Sequence, residues 1–493
     1  MEEDEEYMEN CIKSDGLKKN FLFQVLYQIV ILVLPLITAP YLTRILGEKE
    51  LGNYTFTYSI AYYFVILANL GIVRHGQRVI AVRKNNEIAL RKTFYSLFVL
   101  HCIFSLIITI FYFVFCLIQG DNKILFLIQG IFVFSAIFDI TWLFYGLEKF
   151  KSVVIKNFII RLCETILIFI LVKTVSDIYT YAIIKSFSLL FGNIILIPQA
   201  FKIIKPIKFS FTDVKEHIKP LLVLSITIIA STLYTVFDKT LLGILTTKEN
   251  VAYYEYSDKI IMIGKSVIAV VGTVLFPRAC ACFANGDRNG VNKYFSYSVI
   301  FSYYVSFGMI FGLFSIGDLF AELYYGINFA ICGDLMKIMS ILILICALGD
   351  IVRTQFLIPM HKDILYTITI ISGCVINLIL SLIFIPIYGI YGALIGSISA
   401  ELSVTIFQFF ICKKYIKFKT ILINLIPFIL AGVSMYILLF LIEDRLPLNI
   451  IGLIIRIILG GILYTFVAVI SILIFSNDRK LYLLMIKKKI KSK

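Results

Sequence analysis

"FDITWLFYGLEKF", Phe138–Phe150, closes a long apolar run with an aspartate, the chain's one tryptophan and an abrupt Gly-Glu-Lys exit. The run before it, residues 124–147, is long enough to cross a bilayer. A hydrocarbon core of roughly 30 Å takes about 20 residues of helix at 1.5 Å per residue. Only a helix satisfies its own backbone there. Asp139 and Trp142 then stand where the run is about to meet water, and what a greasy helix gains from them is the first question the chain raises.

Runs of this kind repeat along all 493 residues. Fourteen fit, at 21–43, 53–73, 93–118, 124–147, 152–172, 178–200, 220–246, 251–277, 294–316, 331–352, 364–385, 391–412, 421–442 and 450–475. The composition agrees: 60% hydrophobic, 16% charged and a mean hydropathy of +0.94 exclude a soluble globular domain of this length. The expectation is an all-α polytopic membrane protein with about 14 transmembrane helices.

Orientation follows from lysine and arginine in the short connections. The odd-to-even connections carry only Arg44, Lys49, Lys123, Lys173, Lys248 and Arg445. The even-to-odd connections are basic, with Arg74, Arg78, Arg83, Lys84, Arg91 and Lys92 in one and Lys202, Lys205, Lys208, Lys215 and Lys219 in another; the chain closes on "KKKIKSK". This predicts both termini in the cytoplasm. It also accounts for the net charge of +15 without a nucleic-acid partner. The opening "MEEDEEYMEN" is acidic, unlike the basic start of a signal peptide. Scattered cysteines without CxxC, and four dispersed histidines, support neither a metal site nor a disulfide framework, and no cofactor is expected.

Two stretches repeat. "GEKELGNYTF" (47–56) and "TKENVAYYEY" (247–256) align without a gap, each a charged turn opening a helix. They fall on the first and seventh hairpins, as two parallel six-helix bundles around a central cavity would require. The organisation expected is a cytoplasmic tail over 1–19, a first bundle over 20–200, a linker over 201–219, a second bundle over 220–412, and an extra helix pair with a basic tail over 413–493.

A charge at mid-bilayer costs about 2.5–3.5 kcal/mol on insertion scales and needs a partner, a cavity or a task. Four local pairs are spaced to share a helix face: Arg161 with Glu164, Glu255 with Lys259, Asp334 with Lys337, and Asp350 with Arg353. Along the eighth run Glu255, Asp258, Met262 and Lys265 form one stripe, which cannot face lipid. Lys185 has no acid nearby on its own helix, and Asp139 and Glu401 are unpaired locally. Candidate ligands for an anionic group are therefore Arg161, Lys185, Lys239, Lys259 and Lys265. Asp139, Asp258 and Glu401 are candidates for ion coupling or gating, with a latch between Asp139 and the Arg74–Arg78 loop as the other role for that residue. Tyrosines 58, 62, 63, 234, 253, 254 and 256 are read either as sugar-contacting rings or as interfacial belt residues, and Trp142 and Tyr145 as interface anchors.

The spaced residues Asp139, Trp142, Gly146, Glu148 and Phe150 resemble the end of the fourth helix of bacterial polysaccharide-unit flippases, the Wzx-type branch of the multidrug/oligosaccharidyl-lipid/polysaccharide exporter superfamily. "PLITAPYLTRILGEKELGNY" (35–54), "VFDKTLLG" (236–243), "YYEYSDKI" (253–260), "LFPR" (275–278) and "NLILSLIFIPIYGIYGALIGSISAE" (377–401) are similar to its other helices, in order and over nearly the whole chain. The resemblance implies an alternating-access flippase for an undecaprenyl-diphosphate-linked oligosaccharide in the bacterial cytoplasmic membrane, not an enzyme. Its implied partners are the lipid bilayer, a polysaccharide polymerase and glycosyltransferases. A lipid II flippase or a multidrug or cation antiporter of the same superfamily is the alternative.

Overall fold

The computed structural model describes residues 15–416 and 418–475, with side chains from residue 33 onward except for stretches within 211–235, at 273 and at 417–420. The acidic opening, the closing "KKKIKSK" and the Tyr234 side chain lie outside the described residues.

Among the described residues the chain is helical throughout, with short 3-10 or π turns and no strand. The helices are α1 (Asp15–Asn69), α2 (Ile72–Arg83), α3 (Glu87–Ile118), α4 (Lys123–Ser135), α5 (Thr141–Gly146), α6 (Phe150–Leu171), α7 (Ile178–Ile194), α8 (Ile197–Ile203) and α9 (Phe211–Leu245). There follow α10 (Lys248–Ala284), α11 (Arg288–Tyr325), α12 (Cys332–Val352), α13 (Asp363–Tyr388), α14 (Ile390–Cys412), α15 (Phe418–Leu441) and α16 (Ile450–Phe475). Eleven stretches are long and apolar enough to cross a membrane.

The fourteen expected crossings are recovered once three facts are read together. α1 is two helices joined at Gly47, whose φ of 71° and ψ of 175° no helix tolerates, so it contributes two crossings. α6 spans the required length but carries Lys156, Arg161 and Glu164 in its middle. α9 runs from Phe211 to Leu245 with part of its side chains outside the description. The repeated segments both open helices, after Gly47 and after Thr247 respectively.

The chain divides into two compact units, Met1–Thr240 and Leu241–Lys493. The division falls inside α9, past the linker expected over 201–219. The first unit packs Phe94, Leu97, Trp142, Leu143 and Phe144 into one core, and Tyr112, Phe126 and Val133 into another. The second centres on Phe295, Tyr303, Phe356, Phe428 and Tyr464. Each unit also leaves Ile, Leu and Phe exposed along its helices, as lipid-facing surface requires.

Close helix approach is set by glycine where the resemblance motif has it. Gly389, at φ 56°, turns α13 into α14. A Cβ on Gly392 would come 2.2 Å from the Phe384 carbonyl oxygen, and one on Gly396 2.2 Å from Ser381 Oγ. That Gly-x-x-x-Gly face lets two spanning helices touch backbone to backbone.

Candidate functional site

The opening stretch resolves into a buried junction in the first unit. A 3-10 turn over Ala136–Phe138 ends α4. Asp139 Oδ1 then accepts from the Thr141 amide at 3.0 Å and from Thr141 Oγ1 at 2.6 Å, holding the start of α5. Trp142 Nε1 donates to the Asp139 carbonyl at 3.1 Å. The indole is fully buried, so the expected interface anchor is instead core. It lies under Gly76 of α2, where a Cβ would stand 2.7 Å from Trp142 Cε3. Gly146 admits Ile80 in the same way, at 2.6 Å. Lys84 Nζ reaches Glu148 Oε1 at 2.8 Å. The motif is a seat for α2.

The latch expected between Asp139 and Arg74 or Arg78 is not made, because the nearest donors are the local ones at Thr141. Across helices Asp139 instead interacts electrostatically with Lys156 of α6 and His101 of α3, both buried. Neither had been singled out from sequence.

Deeper in the same unit, two cations converge on one acid. Glu164 of α6 is 6% exposed. It takes Arg161 Nη1 from its own helix at 3.0 Å and Lys185 Nζ from α7 at 2.7 Å. Lys185, without an acid on its own helix, therefore finds one on its neighbour. The side chains of Arg161 and Lys185 are 35% and 24% exposed, so both cations stay partly accessible beside the buried carboxylate.

Beside it runs a ladder of rings. Tyr54 feels the Glu164 charge and meets Tyr181 edge-on at 4.7 Å. Tyr58 stacks on Tyr54 at 5.9 Å and on Tyr62 at 6.0 Å, with Phe132 parallel to Tyr58 at 5.1 Å. Eight residues of helix cover about 12 Å, whereas belt residues sit at one interfacial depth. The belt reading therefore does not fit Tyr58 and Tyr62. Tyr63 hydrogen-bonds Thr240 Oγ1 at 3.0 Å. Lys239, half-buried on α9, is the remaining candidate of this unit, and it has a polar or ring partner of its own.

The second unit gathers three other candidates. Lys265 of α10 interacts with Asp258 of the same helix and with Glu401 of α14. Cys346 of α12 lies beside both Lys265 and Glu401. Here one lysine interacts with two acids. Lys259 pairs with Glu255 at 3.5 Å and lies 3.8 Å over the Tyr256 ring, so it belongs to a local arrangement. Tyr256 packs among Tyr325 and Phe329, Tyr253 meets Phe329 edge-on, and Tyr254 bonds Ser397 Oγ at 3.0 Å. The pairs Asp334–Lys337 and Asp350–Arg353 form at 3.2 and 2.8 Å. All four pairs expected from spacing are thus present.

The family described as "Polysaccharide biosynthesis protein" matches residues 17–281, more than half of the chain. The chain belongs to that family. A "Putative O-antigen transporter" of Shigella dysenteriae is 24% identical to this polysaccharide biosynthesis protein over 396 residues, 80% of this chain and 99% of that one. In structure it is similar to "Lipid II flippase MurJ, inward closed conformation", with a TM-score of 0.72 at 18% identity over 94% of this chain and 99% of the other. A multidrug resistance MATE family transporter of the MOP superfamily, in its inward-facing conformation, follows at 0.55 and 14% identity over 78% and 97%. The fold of this family member is that of the MOP-superfamily transporters.

Proposed function

We propose that this polysaccharide biosynthesis protein is a flippase. It moves an undecaprenyl-diphosphate-linked oligosaccharide from the inner to the outer leaflet of the bacterial cytoplasmic membrane by alternating access. Both termini lie in the cytoplasm, on the side of the basic connections. Two six-helix bundles rock about the substrate while its lipid tail stays in the bilayer. The likeness to O-antigen transporters supports the class of cargo.

The observation that carries the reading is the cluster in which Arg161 and Lys185 converge on Glu164, with both basic side chains partly accessible beside stacked tyrosines. Guanidinium and ammonium donors suit diphosphate oxygens, and they bind more strongly where water is scarce. Tyrosine rings offer faces and hydroxyls to sugars. In this reading Arg161 and Lys185 are the headgroup ligands, and Lys239 and Lys259 act at its margin. The trio of Lys265, Asp258 and Glu401 serves coupling, because carboxylates beside a lysine can take up and release a cation or proton as the second unit moves. Asp139 acts through α5 as a gating support. Glycosyltransferases and a polymerase are the enzymes before and after it.

The test is export in a strain lacking its own flippase. Arg161→Ala and Lys185→Ala should each accumulate in the membrane at normal level and fail to export polymer. Normal export by both variants would remove the headgroup assignment. Purified protein offered lipid II and the oligosaccharide-linked lipid side by side separates this function from that of a lipid II flippase.

A further inference from the structure

The second unit holds a cavity of about 500 Å³ on its basic face, between the α10–α11 turn, the π turn that follows α12, and the end of α14. The volume falls among those of ordinary small-molecule sites. Its walls are half apolar in character, with Phe283, Phe356 and Tyr415 among them, and it is charged by Arg288, Lys414 and Asp287. Asp287 is already engaged, since its Oδ1 accepts from the Gly290 amide at 2.9 Å as the cap of α11.

The cations are not engaged in that way. Lys362 Nζ stands 5.9 Å over the Tyr415 ring at the rim, and Lys413 Nζ 4.2 Å over the Phe410 ring beside it. Among the described residues no ion pair joins Arg288, Lys362, Lys413 or Lys414 to an acid. Arg288 and Lys414 thus line a hollow whose one carboxylate is occupied, with Lys362 over the Tyr415 ring in its wall.

Depth selects the ligand. Phe410 is 66% exposed and Ile364 79% exposed, so lipid-facing apolar surface ends where these ammonium groups begin. A soluble phosphate would meet a pocket opening among polar residues only. Basic pockets between helices at the headgroup level take anionic lipid. The geometry points to a site for the phosphodiester headgroup of an anionic bilayer phospholipid, with Arg288 and Lys414 on the phosphate and Lys362 at the rim. The site is separate from the cluster of Arg161 and Lys185 and does not depend on what the protein carries.

The full chain in nanodiscs of phosphatidylcholine doped with phosphatidylglycerol, with retained lipid read by native mass spectrometry, tests this. Wild type should keep phosphatidylglycerol through delipidation, and R288Q/K414Q should retain on the order of thirtyfold less, from about 1 kcal/mol for each lost cation. The single variant K414Q, on an exposed turn, should show a smaller loss and covers the case in which the double variant fails to accumulate. K205Q/K208Q removes equal charge from another basic connection and should retain lipid as wild type does. Equal loss in both double variants would mean a uniform charged belt and would overturn the site, as would undiminished retention in R288Q/K414Q. Displacement of the lipid by inorganic pyrophosphate would reassign the cavity to a soluble anion and overturn the lipid assignment.

Discussion

His75 Nε2 and His217 Nδ1 lie 3.1 Å apart, both rings buried, and join α2 to the foot of α9. Arg83 reinforces the junction with a 2.9 Å ion pair to Glu216. Because the two compact units divide inside α9, this junction fixes the part of that helix belonging to the first unit. One ring must donate and the other accept, so the bond exists only while at least one imidazole is neutral.

Burial lowers the pKa of His217 below the ordinary histidine value, against the opposing pull of Glu216 and Asp213 and with help from Arg83. A depressed folded-state value means stability that is fully present above about 6.5, the unfolded value, and is lost as pH falls from there through the folded value. The thermal midpoint of wild type should therefore drop between pH 7.5 and pH 5. His217→Gln, which cannot protonate there, should flatten that dependence. An unchanged slope in the variant would show that other groups set it.

The seat of α2 yields a packing prediction. Gly76→Ala forces a Cβ to within 2.7 Å of Trp142 Cε3 and should cost about 1–3 kcal/mol, seen as reduced membrane abundance and a lower thermal midpoint. Trp142→Phe replaces the indole, whose Cε3 is the nearest atom, by a smaller ring with more room to shift. The double variant should then be less damaged than the sum of the singles, a coupling read by a double-mutant cycle. Asp139→Asn keeps an acceptor for Thr141 and should be mild in abundance, while Asp139→Ala loses it and should not.

Much of this was legible beforehand, for identifiable reasons. Bilayer thickness dictates helix length, so apolar runs located the crossings. Pairs three or four residues apart are fixed by helix geometry, so Arg161–Glu164 and its three counterparts were readable. Contacts between helices are not written in spacing. Lys185 with Glu164, Cys346 between Lys265 and Glu401, and His75 with His217 depend on which faces meet. Trp142 was misread because indole at the end of a crossing is common at interfaces, and only the glycine at position 76, on another helix, signals a pocket that fits it.

Glu164 is the hinge of the charged cluster in the first unit. Glu164→Gln leaves Arg161 and Lys185 facing each other without that carboxylate, so their mutual repulsion destabilises the junction of α6 and α7. Abundance of the single variant should fall sharply. Adding Lys185→Gln removes the repulsion and should restore abundance while export stays lost, which separates folding from function. Restored export in the double variant would show that Lys185 acts only as a structural partner.

In the second unit one lysine interacts with two acids. Lys265→Met removes the cation that Asp258 and Glu401 share, and should depress abundance and export together. Lys265→Met with Glu401→Gln removes one of the two charges and should recover abundance. Export should stay low if Glu401 takes part in coupling, whereas recovery of export along with abundance would make it a structural counterion. Cys346→Ser keeps a small polar side chain beside both groups and should leave both readouts near wild type. A large defect in that serine variant, measured by membrane abundance and polymer export, would show that the thiol itself is needed beside Lys265 and Glu401.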